Sequence, residues 1–226
     1  MKIENKVNTT ILSINTAFYD TSVGLFHNNC FFENTKMSDY NHEKNILQLI
    51  KDILKKKNIK INDLNIISFV NGPGNFTGLR IGANVAQGLS IPYNIPIVGI
   101  STFDILADQI WEKYKIKKIS IYIYINDKNL YCADSDRIYN KRYYIKNLKL
   151  SSIKQICEEN NTLKKKKYIA IFGKNFLKKN KKQYLYTIEI KKINMKNLIN
   201  LTKIDKKNKN NLLNDNIQLN YLNNLK

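Results

Sequence analysis

The residues best suited to chemistry lie in a glycine-rich segment, NGPGNFTGLRIG at residues 71–82, between a predicted buried strand and a predicted helix. Such a loop exposes backbone N–H groups at a helix N-terminus, where phosphate groups bind readily. The spacing differs from the known phosphate loops, because no lysine follows Gly78 and the third glycine stands one place late for GxGxxG. Glycines also permit a tight turn and the close approach of another element. We favour this structural role for the loop, whose residues are Gly72, Pro73, Gly74 and Gly78.

Other side chains that could carry a reaction are few. The chain has two histidines, His27 and His42, and neither stands in an HExxH motif or in a recognisable Ser/His/Asp arrangement. Its three cysteines are far apart and show no CxxC spacing, so neither a zinc site nor a disulfide framework is indicated. We therefore predict no catalytic residue and no metal ligand in this chain.

The elements that must position the loop alternate between strands and helices. In the first half we predict strands at 9–16, 21–27, 30–35, 64–71 and 95–101, and helices at 42–56, 76–90 and 102–115. In the second half we predict strands at 118–125, 130–134 and 167–173, helices near 151–160 and 195–204, and a low-complexity linker at 202–216. This order indicates an α/β protein in two lobes.

Charge divides the chain in the same way. The 38 Lys/Arg and 18 Asp/Glu give a net charge of +20. Residues 1–110 hold 10 basic and 9 acidic side chains, whereas residues 111–226 hold 28 and 9, a net charge of +19. We predict an N-terminal lobe at 1–110 and a basic, divergent lobe at 111–226. The positive charge would attract RNA, and composition drift in an AT-rich genome explains it equally well.

A membrane or secreted location is not indicated by the sequence. The N-terminal residues MKIENKVNTTILSIN interrupt their apolar positions with polar ones, and no window offers about 18 unbroken apolar residues. We expect a cytoplasmic protein without a membrane partner.

Residues 71–107, NGPGNFTGLRIGANVAQGLSIPYNIPIVGISTFDILA, resemble the bacterial TsaB (YeaZ) family of the wider Gcp-like group. Family members read close to GxGPGSFTGLRIG, followed by an alanine-rich helix and IPLVGVSSLEALA. The stretches at 11–26 and 41–54 resemble the family's opening hairpin and first helix. The resemblance covers about the first 110 residues, and the C-terminal half matches only loosely.

The resemblance implies the actin-like ATPase fold (the ASKHA, ribonuclease H-like class), with two lobes of mixed sheets flanked by helices. It also implies a non-catalytic subunit in the synthesis of threonylcarbamoyladenosine, beside the anticodon of tRNAs that read ANN codons. In that system the family pairs with a catalytic TsaD-like paralogue and a TsaE-like ATPase, and meets tRNA through the complex. The chain itself would then need no cofactor, because ATP and metal belong to the partner subunits.

Several positions bear on that non-catalytic role. The HxxxH metal motif of the catalytic paralogue falls here on Thr102 and Leu106, neither of which ligates iron or zinc. Asn15 stands where most family members keep an aspartate, which weakens a claim of ATP hydrolysis. The family's Asp-Ala-Arg appears as residues 126–128, Asn-Asp-Lys, and its Pro-x-Tyr-Leu-Arg as residues 219–223, Leu-Asn-Tyr-Leu-Asn.

The resemblance further implies that the helices after His42 and after Phe76 pack against two helices of the TsaD-like partner. Small residues on the second helix would let helices approach closely. The predicted interface residues are His42, Ile46, Ile50, Phe76, Leu79, Arg80, Ala83 and Ala86. Ala83→Trp is then expected to abolish partner binding without unfolding the chain. Homodimer formation by the chain alone is left open.

Two other functions stay open at this point. One is a small actin-like ATPase or kinase, although the turn after Asn15 lacks the glycines that handle phosphates. The other is a stand-alone basic RNA-binding protein that stacks bases on the tyrosines of residues 120–127, although alternating tyrosines equally fit a half-buried strand. ATP turnover by the chain alone would favour the first, and salt-sensitive tRNA binding without a partner would favour the second.

Overall fold

A computed structural model describes residues 9–37, 41–138, 143–161, 166–177 and 185–208. Contacts within the chain divide these residues into two units. The first holds the residues up to Ile100 and the helix that begins at Met195, and the second holds residues Ser101–Asn194. This division differs from the predicted boundary near residue 110. The boundary between the units lies about ten residues earlier, after Ile100, and the last helix belongs to the first unit. No helix in the described ranges is long and apolar enough to span a membrane.

The described elements alternate as the sequence predicts. In chain order they are β1 (Ile11–Asn15), β2 (Asp20–His27), β3 (Cys30–Met37), α1 (His42–Lys56), β4 (Ile66–Gly72), α2 (Phe76–Ser90), β5 (Ile97–Ser101), α3 (Thr102–Tyr114), β6 (Lys118–Tyr124), β7 (Asn129–Arg137), β8 (Tyr143–Ser152), α4 (Ile153–Asn161), β9 (Lys167–Phe172), β10 (Leu185–Ile190) and α5 (Met195–Asn208). Together they form an α/β protein with two five-stranded sheets.

The first unit is built on a sheet of order β3-β2-β1-β4-β5. Its central strand β1 pairs antiparallel with β2 and parallel with β4. Helices α1 and α2 cover one face, and their apolar residues form one core with alternate residues of the strands, such as Ile14 and Phe69. Helix α5 covers the opposite face, where a Cβ added at Gly24 would lie 3.0 Å from the Cβ of Met195.

The second unit repeats this arrangement with a sheet of order β10-β9-β6-β7-β8. Its first strand, β6, pairs antiparallel with β7 and parallel with β9. Counted from the first strand, the order is therefore the same in both sheets. The core of this unit includes Tyr122, Ile169 and Ile156, the last supplied by α4. The sequence shows no repeat of fixed period, so the structural repetition is visible only in the topology.

Two strands and the extent of one helix were not predicted. Strands β8 and β10 are edge strands of the second sheet, so each has one neighbour and buries little apolar surface. Their sequences therefore lack the apolar runs by which the inner strands are predicted. The predicted linker at 202–216 is wrong for its first part, because α5 continues to Asn208. Residues 209–216 lie outside the described ranges.

Candidate functional site

The glycine-rich loop connects the end of β4 to the start of α2. Gly72 has a φ of +113°, which L side chains rarely adopt, and a cis peptide bond joins it to Pro73. The loop then packs on the turn that joins β1 to β2. A Cβ added at Gly74 would lie 2.8 Å from the carbonyl oxygen of Ala17. The loop therefore needs its glycines for backbone contact with the first hairpin.

The first turn of α2 meets the same hairpin even more closely. A Cβ added at Gly78 would lie 1.9 Å from the carbonyl oxygen of Thr16, and one at Gly82 would lie 2.6 Å from its Oγ1. The Thr16 hydroxyl donates a hydrogen bond of 2.7 Å to the Gly78 carbonyl oxygen. This geometry supports the structural role of the loop.

Two N–H groups at the start of α2 donate to acceptors of the chain itself. The Gly78 N–H donates to Oδ1 of Asn75, which caps the helix, at 3.0 Å. The Asn75 N–H donates to the carbonyl oxygen of Ala17 at 2.8 Å. A phosphate at this helix end would have to displace both bonds, so the arrangement does not resemble an open phosphate loop.

Asn15, where the family keeps an aspartate, has a local structural contact. Its side chain is buried, and Oδ1 accepts a hydrogen bond of 3.1 Å from the N–H of Ala17. The bond spans two residues and shapes the turn between β1 and β2, as Asx turns commonly do. Asn126 makes the equivalent bond in the second unit, where its Oδ1 accepts from the N–H of Lys128 at 2.9 Å.

His42 begins α1 and is buried, with 9% of its surface exposed. Its Nδ1 lies 2.9 Å from Oγ1 of Thr21 on β2, so the ring joins the helix start to the sheet. Burial lowers the pKa of His42, which favours the neutral ring. The contact that the structure gives this histidine is internal to the chain.

The other predicted interface residues fall into two groups. Five of them lie in the interior of the first unit, with at most 4% of their surface exposed: Ile46, Ile50, Leu79, Ala83 and Ala86. The remaining two, Phe76 and Arg80, are exposed. The small-residue pattern of α2 lets the helix pack on its own sheet and hairpin. Ala83→Trp would therefore disrupt the core, so it does not test partner binding.

The exposed side of α2 carries a different set of residues. Phe76, Arg80 and Asn84 recur at helical spacing and are exposed, and Ile91, directly after the helix, is 72% exposed. The Arg80 guanidinium lies 3.7 Å from the centre of the Phe76 ring. We call these four residues the α2 stripe. Its Ile91 was missed, although its position in the helical period just before Pro92 was a usable signal.

The remaining positions singled out from the sequence lie in the second unit. Thr102 and Leu106 are fully buried on α3. Asp127, in the turn after β6, accepts hydrogen bonds from Lys174 Nζ at 2.7 Å and Tyr124 Oη at 2.6 Å, and these bonds lower its pKa. In the described ranges no three His, Cys, Asp or Glu side chains come together as a metal site would require. Residues 219–223 lie outside those ranges.

Comparison with known proteins gives consistent results. A family model described as TsaD, tRNA N6-adenosine threonylcarbamoyltransferase, matches residues 36–184, more than half of the chain. The tRNA threonylcarbamoyladenosine biosynthesis protein TsaB of Buchnera aphidicola subsp. Baizongia pistaciae is 37% identical over 129 residues, which are 57% of this chain and 58% of the relative. TsaB of Escherichia coli K12 is 32% identical over 127 residues, which are 56% and 55% of the two chains.

The chain belongs to the TsaB (YeaZ) family. The chain matches little more than half the length of these TsaB relatives. A solved structure of YeaZ from Pseudomonas aeruginosa has a TM-score of 0.79 with this chain at 17% identity, covering 95% of this chain and all of the other. The fold thus extends through the half whose sequence diverges. The predicted α/β fold of two mixed sheets flanked by helices is confirmed, and it is the fold of YeaZ.

Proposed function

We propose that this TsaB-family chain is a non-catalytic subunit in the biosynthesis of threonylcarbamoyladenosine in tRNA. It pairs with a TsaD-like catalytic paralogue, acts with a TsaE-like ATPase, and reaches tRNA through that complex. The names of its TsaB relatives, which place those proteins in this pathway, support the proposal. Work on tRNA implies a cytoplasmic location.

One observation carries the pairing: the α2 stripe leaves apolar and cationic side chains exposed on a helix whose other side is buried. Phe76 is 50% exposed and Ile91 is 72% exposed. Aromatic and arginine side chains are the types that most often anchor a protein interface. A partner helix that packed on the stripe would bury both apolar side chains and bring an acidic group of the partner within reach of Arg80, which lies between them, for a charge-assisted contact. When the partner is absent, a second copy of the chain could cover the same stripe.

The non-catalytic assignment draws on the closed loop and the first hairpin. Two N–H groups at the start of α2, those of Gly78 and Asn75, already donate to Asn75 and Ala17, so a nucleotide phosphate would have to compete with these bonds. Asn15 supplies a neutral amide that shapes a turn, where a metal-bound nucleotide would call for a carboxylate. We therefore assign ATP and metal to the partner subunits.

The test is size-exclusion chromatography with light scattering of the chain mixed with the TsaD-like paralogue of its own organism. The wild-type chain should form a heterodimer. A double variant, Phe76→Ala with Ile91→Ala, should weaken its affinity about 30-fold or more, since truncating interface anchors costs roughly 2 kcal/mol or more.

The matched control, Tyr144→Ala with Ile138→Ala, also removes one exposed aromatic ring and one exposed isoleucine, at positions away from the α2 stripe. These residues are 59% and 49% exposed and lie in the second unit. The control should bind as wild type does. Absence of a heterodimer with folded wild-type chain would refute the pairing, and equal loss in both double variants would refute the α2 stripe as its surface. Sustained ATP hydrolysis by the chain alone would refute the non-catalytic role.

A further inference from the structure

A pocket of about 750 Å³ opens beside the sheet of the second unit. It is lined by the end of α3 and the residues after it, by the starts of β6 and β9, and by parts of β7 and β8. Six of its lining residues are lysines: Lys115, Lys117, Lys118, Lys146, Lys166 and Lys167. Two are acidic, Asp134 and Asp136, so the pocket has a net charge of +4. We call it the lysine pocket.

Both acidic residues of the lysine pocket have partners within it or at its edge. Asp136 pairs with Lys118 at 3.3 Å. Asp134 accepts hydrogen bonds from the Ser120 hydroxyl and, at 2.7 Å, from Asn147 Nδ2. Burial disfavours its ionised form, but these bonds and the charges of Lys167 and Lys146 prevail and lower the pKa of Asp134. Both carboxylates therefore have partners, and the lysines that line the pocket outnumber them.

Aromatic rings stand among these lysines. Tyr168 lines the pocket, is 41% exposed, and has its ring centre 5.2 Å from that of Tyr186, which is 42% exposed. The Lys166 ammonium lies 5.9 Å from the centre of the Tyr186 ring. Tyr114, at the end of α3, also lines the pocket and is 43% exposed. Lysines interleaved with exposed aromatic rings suit a single strand of nucleic acid, whose phosphates and bases alternate.

We propose that the lysine pocket binds the phosphate backbone of single-stranded RNA. A single small anion would engage one or two ammonium groups, whereas lysines supplied by three separate stretches of the chain, at 115–118, 146 and 166–167, match several phosphates along a strand. The identity of that RNA as a tRNA loop rests on the proposed function. RNA binding by the pocket needs no partner subunit. The experiments can therefore refute RNA binding and still support pairing with the TsaD-like paralogue, or refute the pairing and still support RNA binding.

The sequence alternative of an RNA-binding surface on residues 120–127 differs from this one. Tyr122 is 3% exposed and packs in the core against Phe176, so it is not available to stack a base. Tyr124 donates its hydroxyl to Asp127 and lies at the other end of β6 from Lys118. The exposed rings that accompany the lysines are instead those of β9, β10 and the end of α3.

The test measures fluorescence anisotropy of a labelled, unstructured oligouridine with the full chain over a series of salt concentrations. The pocket variant replaces three exposed lysines, in Lys117→Gln, Lys146→Gln and Lys166→Gln. Its affinity at 0.1 M salt should fall roughly tenfold or more, and the slope of log affinity against log salt should shrink by about 2, since each phosphate contact to a single strand contributes about 0.7.

The control variant removes the same charge elsewhere in the second unit. It carries Lys128→Gln, Lys154→Gln and Lys192→Gln, all at exposed positions. It should lose less than about threefold in affinity, because charges distant from the strand act only through a screened field. Circular dichroism spectra of both variants should match that of wild type, which is expected of exposed lysine substitutions.

Three outcomes would overturn the proposal. Equal losses in the pocket and control variants would mean that diffuse charge, and not the pocket, holds the RNA. Unmeasurable binding of the oligouridine by the wild-type chain at low salt would mean that the pocket holds no RNA. Displacement of the oligouridine by uridine monophosphate at an equal phosphate concentration would mean that the pocket is a mononucleotide site.

Discussion

Gly78→Ala should destabilise the first unit, because the added methyl group has no room. Its Cβ would lie 1.9 Å from the carbonyl oxygen of Thr16, where ordinary contact begins at 3.4 Å, so helix and hairpin must separate by about 1.5 Å. That movement also breaks the 2.7 Å hydrogen bond from the Thr16 hydroxyl to the Gly78 carbonyl oxygen. The obstacle is backbone, so no side-chain rotation relieves it.

The expected magnitude follows from three contributions. Overpacking costs roughly 1–3 kcal/mol. A buried polar group that loses its partner costs about 1–3 kcal/mol more. The higher helix propensity of alanine returns about 1 kcal/mol. We therefore expect Gly78→Ala to lower the free energy of unfolding by about 1–5 kcal/mol, the greater part of it from contacts that hold α2 on the first hairpin.

Gly88→Ala is the matched control, because it makes the same change in the same helix. A Cβ added there meets nothing within 4 Å, and Gly88 is exposed. Only the propensity gain remains, so this variant should be more stable than wild type by up to about 1 kcal/mol. Urea titration followed by far-ultraviolet circular dichroism measures both values. If Gly78→Ala were as stable as wild type, or both variants moved in the same direction, the close contact between α2 and the hairpin would be refuted.

Two further predictions concern a buried histidine and a half-buried tyrosine. Because burial lowers the pKa of His42 below the 6.5 of the unfolded chain, the unfolded chain binds more protons between the two values. The stability that His42 contributes is therefore present above about pH 6.5 and is lost as the pH falls. The urea midpoint of wild type should drop more on acidification than that of His42→Gln. Parallel curves for the two proteins would contradict this prediction. Tyr143 Oη donates to Asp108 Oδ1 at 2.9 Å and accepts from Arg137 Nη1 at 2.7 Å. Tyr143→Phe should cost about 1–3 kcal/mol in the same titration, whereas Tyr144→Phe, at an exposed neighbour, should cost nearly nothing; equal effects would show that the hydroxyl is not structural.

Periodicity and turn chemistry predict the inner elements of this fold, because those elements bury one face or both. Helix α1 shows its buried side directly in the spacing of Ile46, Ile50 and Ile53. Strands β8 and β10 were not predicted, because most of their residues are exposed or half-buried and their sequences hold no apolar run. Periodicity also does not predict that α5 packs on the first unit, because it identifies the buried side of a helix but not the element that covers that side.

The candidate site was harder to predict for a related reason. A small residue such as Ala83 signals that something approaches closely, and the sequence does not say whether that neighbour is a partner or the chain's own sheet. Here the neighbour is the chain itself, and the surface that we propose for a partner is the exposed α2 stripe. The sequence predicted only that the second half is basic, because the pairing of β6, β7, β8 and β9 is what brings the lysines at 115–118, 146 and 166–167 together.

The return of α5 to the first unit also determines when that unit can be completed during translation. The face of its sheet at Gly24 is covered by Met195 and Ile199, and the 94 residues of Ser101–Asn194 must be made first. At ribosomal speeds of about 5–20 residues per second, that apolar face waits roughly 5–20 s for its helix. The nascent chain therefore exposes the apolar face of this sheet for seconds. A ribosome that stalls before Met195 leaves a product in which no helix α5 covers that face.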